Sequence, residues 1–239
     1  MIEPHKTAAR FHTTRWTLIR KASASPEALE CLLAMYWSPV YAFLRCKGHS
    51  RDHAADLTQG FFANIVLDRK LIEQADERRG RFRNFLMSAL CKFVVDEYRH
   101  EHGRNGQRAT AVSLDEASLA AADPGEDEDP TRAFDRQWAT TVVNLAIEQV
   151  EQACEAEGLS THWTLYETRE LQPLRGCEAT PVDELIRRFG LSHRDDVYNM
   201  VHTIKRKLAR AVERIVSETL DDPEDLASEI ANLKLVLRR

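Results

Sequence analysis

The chain has 239 residues, a formal net charge of -5, 43 % apolar residues and 30 % charged residues. That length suits one large or two small domains with a packed core, and the negative balance excludes a uniformly basic coat for nucleic acid. A local basic surface is still compatible with it. The five cysteines, Cys31, Cys46, Cys91, Cys154 and Cys177, are odd in number and scattered, which does not suggest a disulfide framework. There is no signal peptide and no apolar run of about 18 residues, so the expectation is a cytoplasmic protein with reduced thiols and no membrane association.

Apolar residues recur at helical spacing along the chain, which predicts an all-α fold. Ser25-Pro26 reads as an N-cap followed by proline at the first helical position. Leu29, Leu32, Leu33 and Tyr36 mark one face of that helix. Pro39 is expected to kink or split it, with Val40, Phe43 and Leu44 continuing the stripe. Lys47-Gly48-His49 marks a helix end, and Ser50 caps a second helix that buries Leu57, Phe61, Phe62, Ile65 and Val66. A third helix is predicted from about Phe82 to Arg99, burying Phe85, Leu86, Leu90 and Val94.

After His102 the composition changes. "SLDEASLAAADPGEDEDP" holds seven acidic residues and no basic one, and it predicts a linker with little apolar surface to bury. Asp129-Pro130 opens the next helix, with Phe134, Trp138, Val142, Leu145 and Val150 on its apolar side. Thr180-Pro181 opens another, with Asp183 completing a capping pattern. Asp222-Pro223 starts a final helix.

The stretch "ELIRRFGLSHRDDVYNMVHTIKRKLARAV" reads as a short helix, a turn at Gly190 and a longer helix opened by Ser192, the shape of a helix-turn-helix. Val197, Val201, Ile204, Leu208 and Val212 form the packing face. Asp195, Asn199, His202 and Arg206 fall opposite, flanked by Arg194, Tyr198 and Lys205. From Arg187 to Arg214 there are eight Lys or Arg, opposed only by Asp195, Asp196 and Glu213. The cations suit phosphates, while Asn199 and Arg194 suit base edges. The Asp195-Asp196 pair agrees with the dipole of a first helical turn but repels phosphate. Short patterns of this kind also occur on plain surface helices. Further upstream, "RRGRFRNFLMSALCKFVVDEYRHEHGR" interleaves Arg78, Arg79, Arg81, Arg83, Lys92, Arg99 and Arg104 with Phe82, Phe85, Phe93 and Tyr98. Cations and rings together suit strand-separated nucleic acid. The competing reading makes these rings core, above all Phe85.

Three segments in order carry a family resemblance. "RDHAADLTQGFFANIV" resembles the polymerase-binding helix of bacterial RNA polymerase sigma factors of the extracytoplasmic-function (ECF) type. "RGRFRNFLMSALCKFVVDEYRHEHGR" resembles their promoter-melting, minus-ten-reading segment, and "PVDELIRRFGLSHRDDVYNMVHTIKRKLARAVERI" their minus-thirty-five-reading domain. "TTRWTLI" and "YWSPVYAFLR" are similar to the planctomycete-like subgroup. The resemblance implies two helical domains: residues 1–104 for polymerase docking and the minus-ten element, and 131–220 for a helix-turn-helix on the minus-thirty-five element. An acidic linker, 105–130, would join them, and 221–239 would be a C-terminal helical extension.

Residue by residue, it implies that Asp52, Asp56, Gln59 and Phe62 dock on the beta-prime clamp helices of core RNA polymerase. It implies that Arg83, Asn84, Lys92, Asp96 and Arg99 lie near the minus-ten strand of promoter DNA. Arg194, Tyr198, Asn199, His202, Lys205 and Arg206 would lie near the minus-thirty-five duplex. The function implied is transcription initiation by binding, without catalysis and without a cofactor, under an anti-sigma factor or a Ser/Thr kinase. The sequence departs from the family at Gly60, where many members are acidic, and in a shortened loop before Phe82. Thr58 is therefore a candidate phosphosite, since a phosphate would bring roughly -1.5 to -2 charges to the docking helix.

Other readings compete. A helix-turn-helix regulator that never touches polymerase fits the C-terminal pattern, and a sigma-like adaptor that does not initiate transcription fits the shortened loop and the acidic pair. For an enzyme or metalloprotein, the best cluster is Cys46, His49, Asp52 and His53, whose spacing offers zinc ligands across a helix break.

Overall fold

The computed structural model describes residues 25–63, 82–103, 128–220 and 222–238. Every regular element among them is helical and none is a strand. The expected positions Ile65, Val66, Arg78, Arg79, Arg81 and Arg104, with most of the acidic linker, lie outside the described residues.

Helix α1 spans Pro26–Cys46, α2 Arg51–Phe62, α3 Phe82–Gly103 and α4 Pro130–Ala156. Helix α5, Ser160–Tyr166, runs into a π-helical turn, Glu167–Leu171, and then into the single turn α6, Gln172–Leu174. Helices α7, Val182–Phe189, and α8, Arg194–Ser217, precede the last helix α9, Asp225–Leu237.

Helix α1 continues through Pro39, so the expected split does not occur. An interior proline costs about 3 kcal/mol. Leu32, Tyr36, Val40 and Leu44 are each at most 1 % exposed, and burying one large apolar side chain is worth about 1.5–3 kcal/mol. Packing therefore outweighs the missing hydrogen bond. Gly48, at φ 89°, closes the helix, and Ser50 then caps α2 by accepting from the His53 N–H at 3.3 Å.

Helix α4 is the centre of the molecule and touches α1, α5, α8 and α9. Asp129 caps it by accepting from the Arg132 N–H at 3.1 Å, as the Asp-Pro pair predicts. Its buried Phe134, Trp138, Val142, Ala146 and Val150 recur at helical spacing. One apolar cluster runs from Leu32 of α1 through Phe61, Phe82 and Trp138 to Ile204 and Leu233. The segments on either side of the acidic stretch thus share a core, with α1 lying along α4.

Two predicted caps form differently. Asp183 does not cap α7; it turns to Arg194 instead. The last helix begins at Asp225 rather than at Asp222-Pro223, and Asp222 accepts from the Glu224 N–H at 2.8 Å ahead of it.

Candidate nucleic-acid interface

Helices α7 and α8 are joined by a tight turn at Gly190, whose φ of 65° is left-handed. Only glycine takes that conformation without strain. The Leu191 N–H reaches back to the Ile186 carbonyl at 3.0 Å and fixes the angle between the helices. Asp196 accepts from the backbone N–H groups of Ser192 and His193 at 3.1 and 2.9 Å. One member of the acidic pair is therefore occupied in capping α8, while Asp195 is exposed.

Val197, Val201 and Ile204 are buried, with Leu208 and Val212 partly so, as the spacing predicts. Asn199, His202 and Arg206 are exposed on the opposite face. Their neighbours are engaged within the protein. Arg194 donates to both oxygens of Asp183 at 2.8 Å. Lys205 pairs with Glu170 at 2.6 Å. Tyr198 lies under the Arg169 guanidinium, 4.7 Å from its ring centroid. Arg169 and Glu170 both belong to the π-helical turn. The Arg194–Asp183 pair is solvent-exposed and contributes little to stability, whereas Arg169 and Glu170 are partly buried. No ion pair within the described residues engages Arg206 or Arg210.

The N-terminal candidates divide. On α2, Asp52 and Asp56 are exposed one turn apart, and Gln59 is half-buried. Phe62 is core, stacked on Trp37 with centroids 5.5 Å apart, and is not exposed with Asp52 and Asp56. Thr58 is fully buried and donates to the Ala54 carbonyl at 2.7 Å. This corrects the phosphosite expectation: its hydroxyl is closed to a kinase and already bonded. Gly60 faces inward too, since a Cβ there would meet the Phe93 ring at 3.6 Å. An acidic residue at Gly60 would point to the core and not extend the Asp52–Asp56 strip.

On α3, Asn84, Lys92, Asp96 and Arg99 are exposed, and Arg99 pairs with Asp96 at 3.5 Å. Tyr98 is 61 % exposed, while Phe82 and Phe93 are core and Phe85 packs against it. Arg83 departs from the expected DNA-facing role. It is 8 % exposed, stacked over Trp138 at 4.6 Å, and bonded to Asp135 at 2.8 Å and Glu229 at 3.1 Å. Burial, the main cause, pushes the Asp135 carboxyl above its usual range although Arg83 opposes this.

The candidate zinc ligands do not converge. The His49 and His53 rings stack with centroids 4.9 Å apart, and no three His, Cys, Asp or Glu among the described residues are placed to hold an ion. Burial raises the Cys46 thiol, with Glu128 adding to this, which disfavours the thiolate that zinc requires. His49 and His53 instead line a cleft of about 630 Å³ with Lys47, Tyr98 and Arg99.

Sequence reasoning missed Asp135, Glu229, Arg169 and Glu170. One signal was present for Glu229: it lies between Leu226 and Leu233 at helical spacing, on the face that packs. The pairing of Arg169 and Glu170 with α8 depends on a π-helical turn that no spacing rule announces. Comparison of the chain with family models, with curated proteins and with solved structures gave no match.

Proposed function

We propose that the protein is a sigma factor of the ECF type, which brings core RNA polymerase to promoters and acts by binding without chemistry of its own. The observation that carries this is the exposed face of α8. Asn199, His202 and Arg206 stand outward while Val197, Val201 and Ile204 anchor the helix behind the Gly190 turn. Such a helix can enter a major groove and present an amide and cations to base edges and phosphates. Asp52 and Asp56 on a separate helix supply an acidic strip for a basic polymerase surface. The partners in this reading are the beta-prime clamp helices, promoter DNA and an anti-sigma factor, and the site of action is the cytoplasm.

Run-off transcription with core polymerase on genomic fragments tests the proposal. Transcripts from defined start sites support it, and a protein that fails to associate with core polymerase at low salt overturns it. One observation favours a second reading, an adaptor or helix-turn-helix regulator that does not open promoters. Arg83, assigned by resemblance to the minus-ten strand, is held in the interior. Duplex binding through α8 without polymerase-dependent transcripts would select that reading.

A further inference from the structure

One carboxylate serves two cations beside α8. Glu170 accepts from the Arg169 Nε at 3.3 Å and meets the Lys205 Nζ at 2.6 Å. Arg169 also lies over the Tyr198 ring. Tyr198 and Lys205 are seven residues apart, about 10 Å along α8, so two adjacent residues engage two turns of that helix. Arg169 and Glu170 sit in the π-helical turn, a rare geometry that concentrates at functional sites.

The Lys205 side chain is 51 % exposed, so an incoming phosphate can reach its ammonium, whereas Glu170 is 27 % exposed and stays behind. Breaking a partly buried ion pair is costly mainly through the charge left unpaired. Here Glu170 is not left alone when Lys205 turns outward, because Arg169 keeps its hold through Nε. No other ion pair among the described residues engages Arg169, and its Nη1 is buried without a hydrogen-bond partner there. Its charge is thus available to compensate Glu170 by itself.

We infer that Glu170 is a positioning residue for duplex binding: it holds the Lys205 ammonium as an internal counter-anion, which restrains the phosphate affinity of α8, and it passes to Arg169 when a duplex phosphate claims Lys205. The ligand rests on the duplex-binding role proposed above for α8. The exchange needs no proton transfer and no movement of α8, only rotation of a flexible lysine side chain. Because a phosphate carries no sequence information, the restraint acts on all duplexes alike.

The test uses the full chain and a fluorescent DNA duplex of random sequence, titrated over a range of salt, with thermal unfolding as the check on folding. Glu170→Gln keeps the shape of the side chain and removes its charge. It should tighten binding about threefold to fivefold at low salt, within what one exposed ion pair is worth, and steepen the slope of log affinity against log salt by up to about one. Arg169→Gln should act in the opposite direction, since Glu170 then has Lys205 alone to hold. The double variant Arg169→Gln/Glu170→Gln leaves neither of these two charges unpaired and keeps the net charge of the chain. It covers the case in which Glu170→Gln fails to fold, and it should still steepen the slope. In a Lys205→Ala background, Glu170→Gln should lose its effect on the slope. An effect that persists in that background overturns the inference, as does an unchanged slope in the Glu170 variants. Arg169→Gln binding as tightly as the unaltered protein overturns the handover. In each of these cases duplex binding by the unaltered protein keeps the proposed role of α8. If no form binds duplex, that role and this inference both fail.

Discussion

Helices α3 and α8 look alike as sequence and differ as structure. Each alternates cations with apolar residues at helical spacing. In α8 the division follows the spacing: Val197, Val201 and Ile204 are buried, and Asn199, His202 and Arg206 are exposed. In α3 the first cation, Arg83, is swallowed by the core, while Lys92 and Arg99 remain exposed. The reason lies in what stands opposite. Arg83 meets Trp138 and two carboxylates from α4 and α9, enough to offset its desolvation. Arg194 meets only Asp183, itself exposed, at the rim of the helix pair. A cation on an amphipathic helix thus turns inward where a core ring and internal anions are positioned to take it.

The contrast predicts opposite consequences for two kinds of arginine or lysine substitution. Arg83→Met should destabilise the fold by about 3–5 kcal/mol, because the buried Glu229 carboxylate and the part-buried Asp135 both lose their ion pair with Arg83. Chemical denaturation followed by far-ultraviolet circular dichroism measures this; a loss smaller than the scatter between surface variants would mean that Arg83 is not an internal residue. Lys205→Ala and Arg206→Ala should change stability by no more than about 0.5 kcal/mol.

Function should divide the other way. Asp56→Ala should weaken core polymerase binding by up to a few kcal/mol if the strip is desolvated in the complex and by little if it lies at the rim. Duplex binding through α8 should be untouched. Affinity measurements on both ligands with the one variant decide the matter, and an equal loss on both would indicate damage to the fold. Next in size, Lys205→Ala and Arg206→Ala should each lower the slope of log affinity against log salt by about one for every phosphate the side chain neutralises. Lys205 must first leave Glu170, so its slope change should be the smaller of the two. Asn199→Ala should shift base preference and leave the salt slope alone.

The smallest effect concerns pH. Burial raises the Asp135 carboxyl in the folded state above its unfolded value, despite Arg83. Between those two values the folded protein binds more protons than the unfolded chain. The associated stabilisation is present below the unfolded pKa and is lost as pH rises through the raised folded one. Asp135→Asn should remove this loss of stability with rising pH, so that the acid limb climbs more steeply. An unchanged acid limb would mean that Asp135 titrates as an ordinary surface carboxylate.

Periodicity alone carried the all-helical class, because a buried helical face must repeat every three or four residues, and α4 and α8 bury the residues that this rule selects. The Ser50 and Asp129 caps and the glycine turns at Gly48 and Gly190 were equally legible, since each solves a backbone problem within a few residues of itself. What sequence spacing left open was every question about partners far along the chain. Pro39 reads as a breaker until four neighbouring side chains are seen packed in the core. Thr58 reads as a surface hydroxyl until the inner face of α2 is known. Arg83 reads as a phosphate contact until Asp135 and Glu229, 52 and 146 residues away by their numbers, are brought against it. Local geometry depends on short-range hydrogen bonds that the order of residues specifies directly. Whether a charge faces water or the interior depends on desolvation and on the nearest opposite charge, and only the packing of α3, α4 and α9 together decides that.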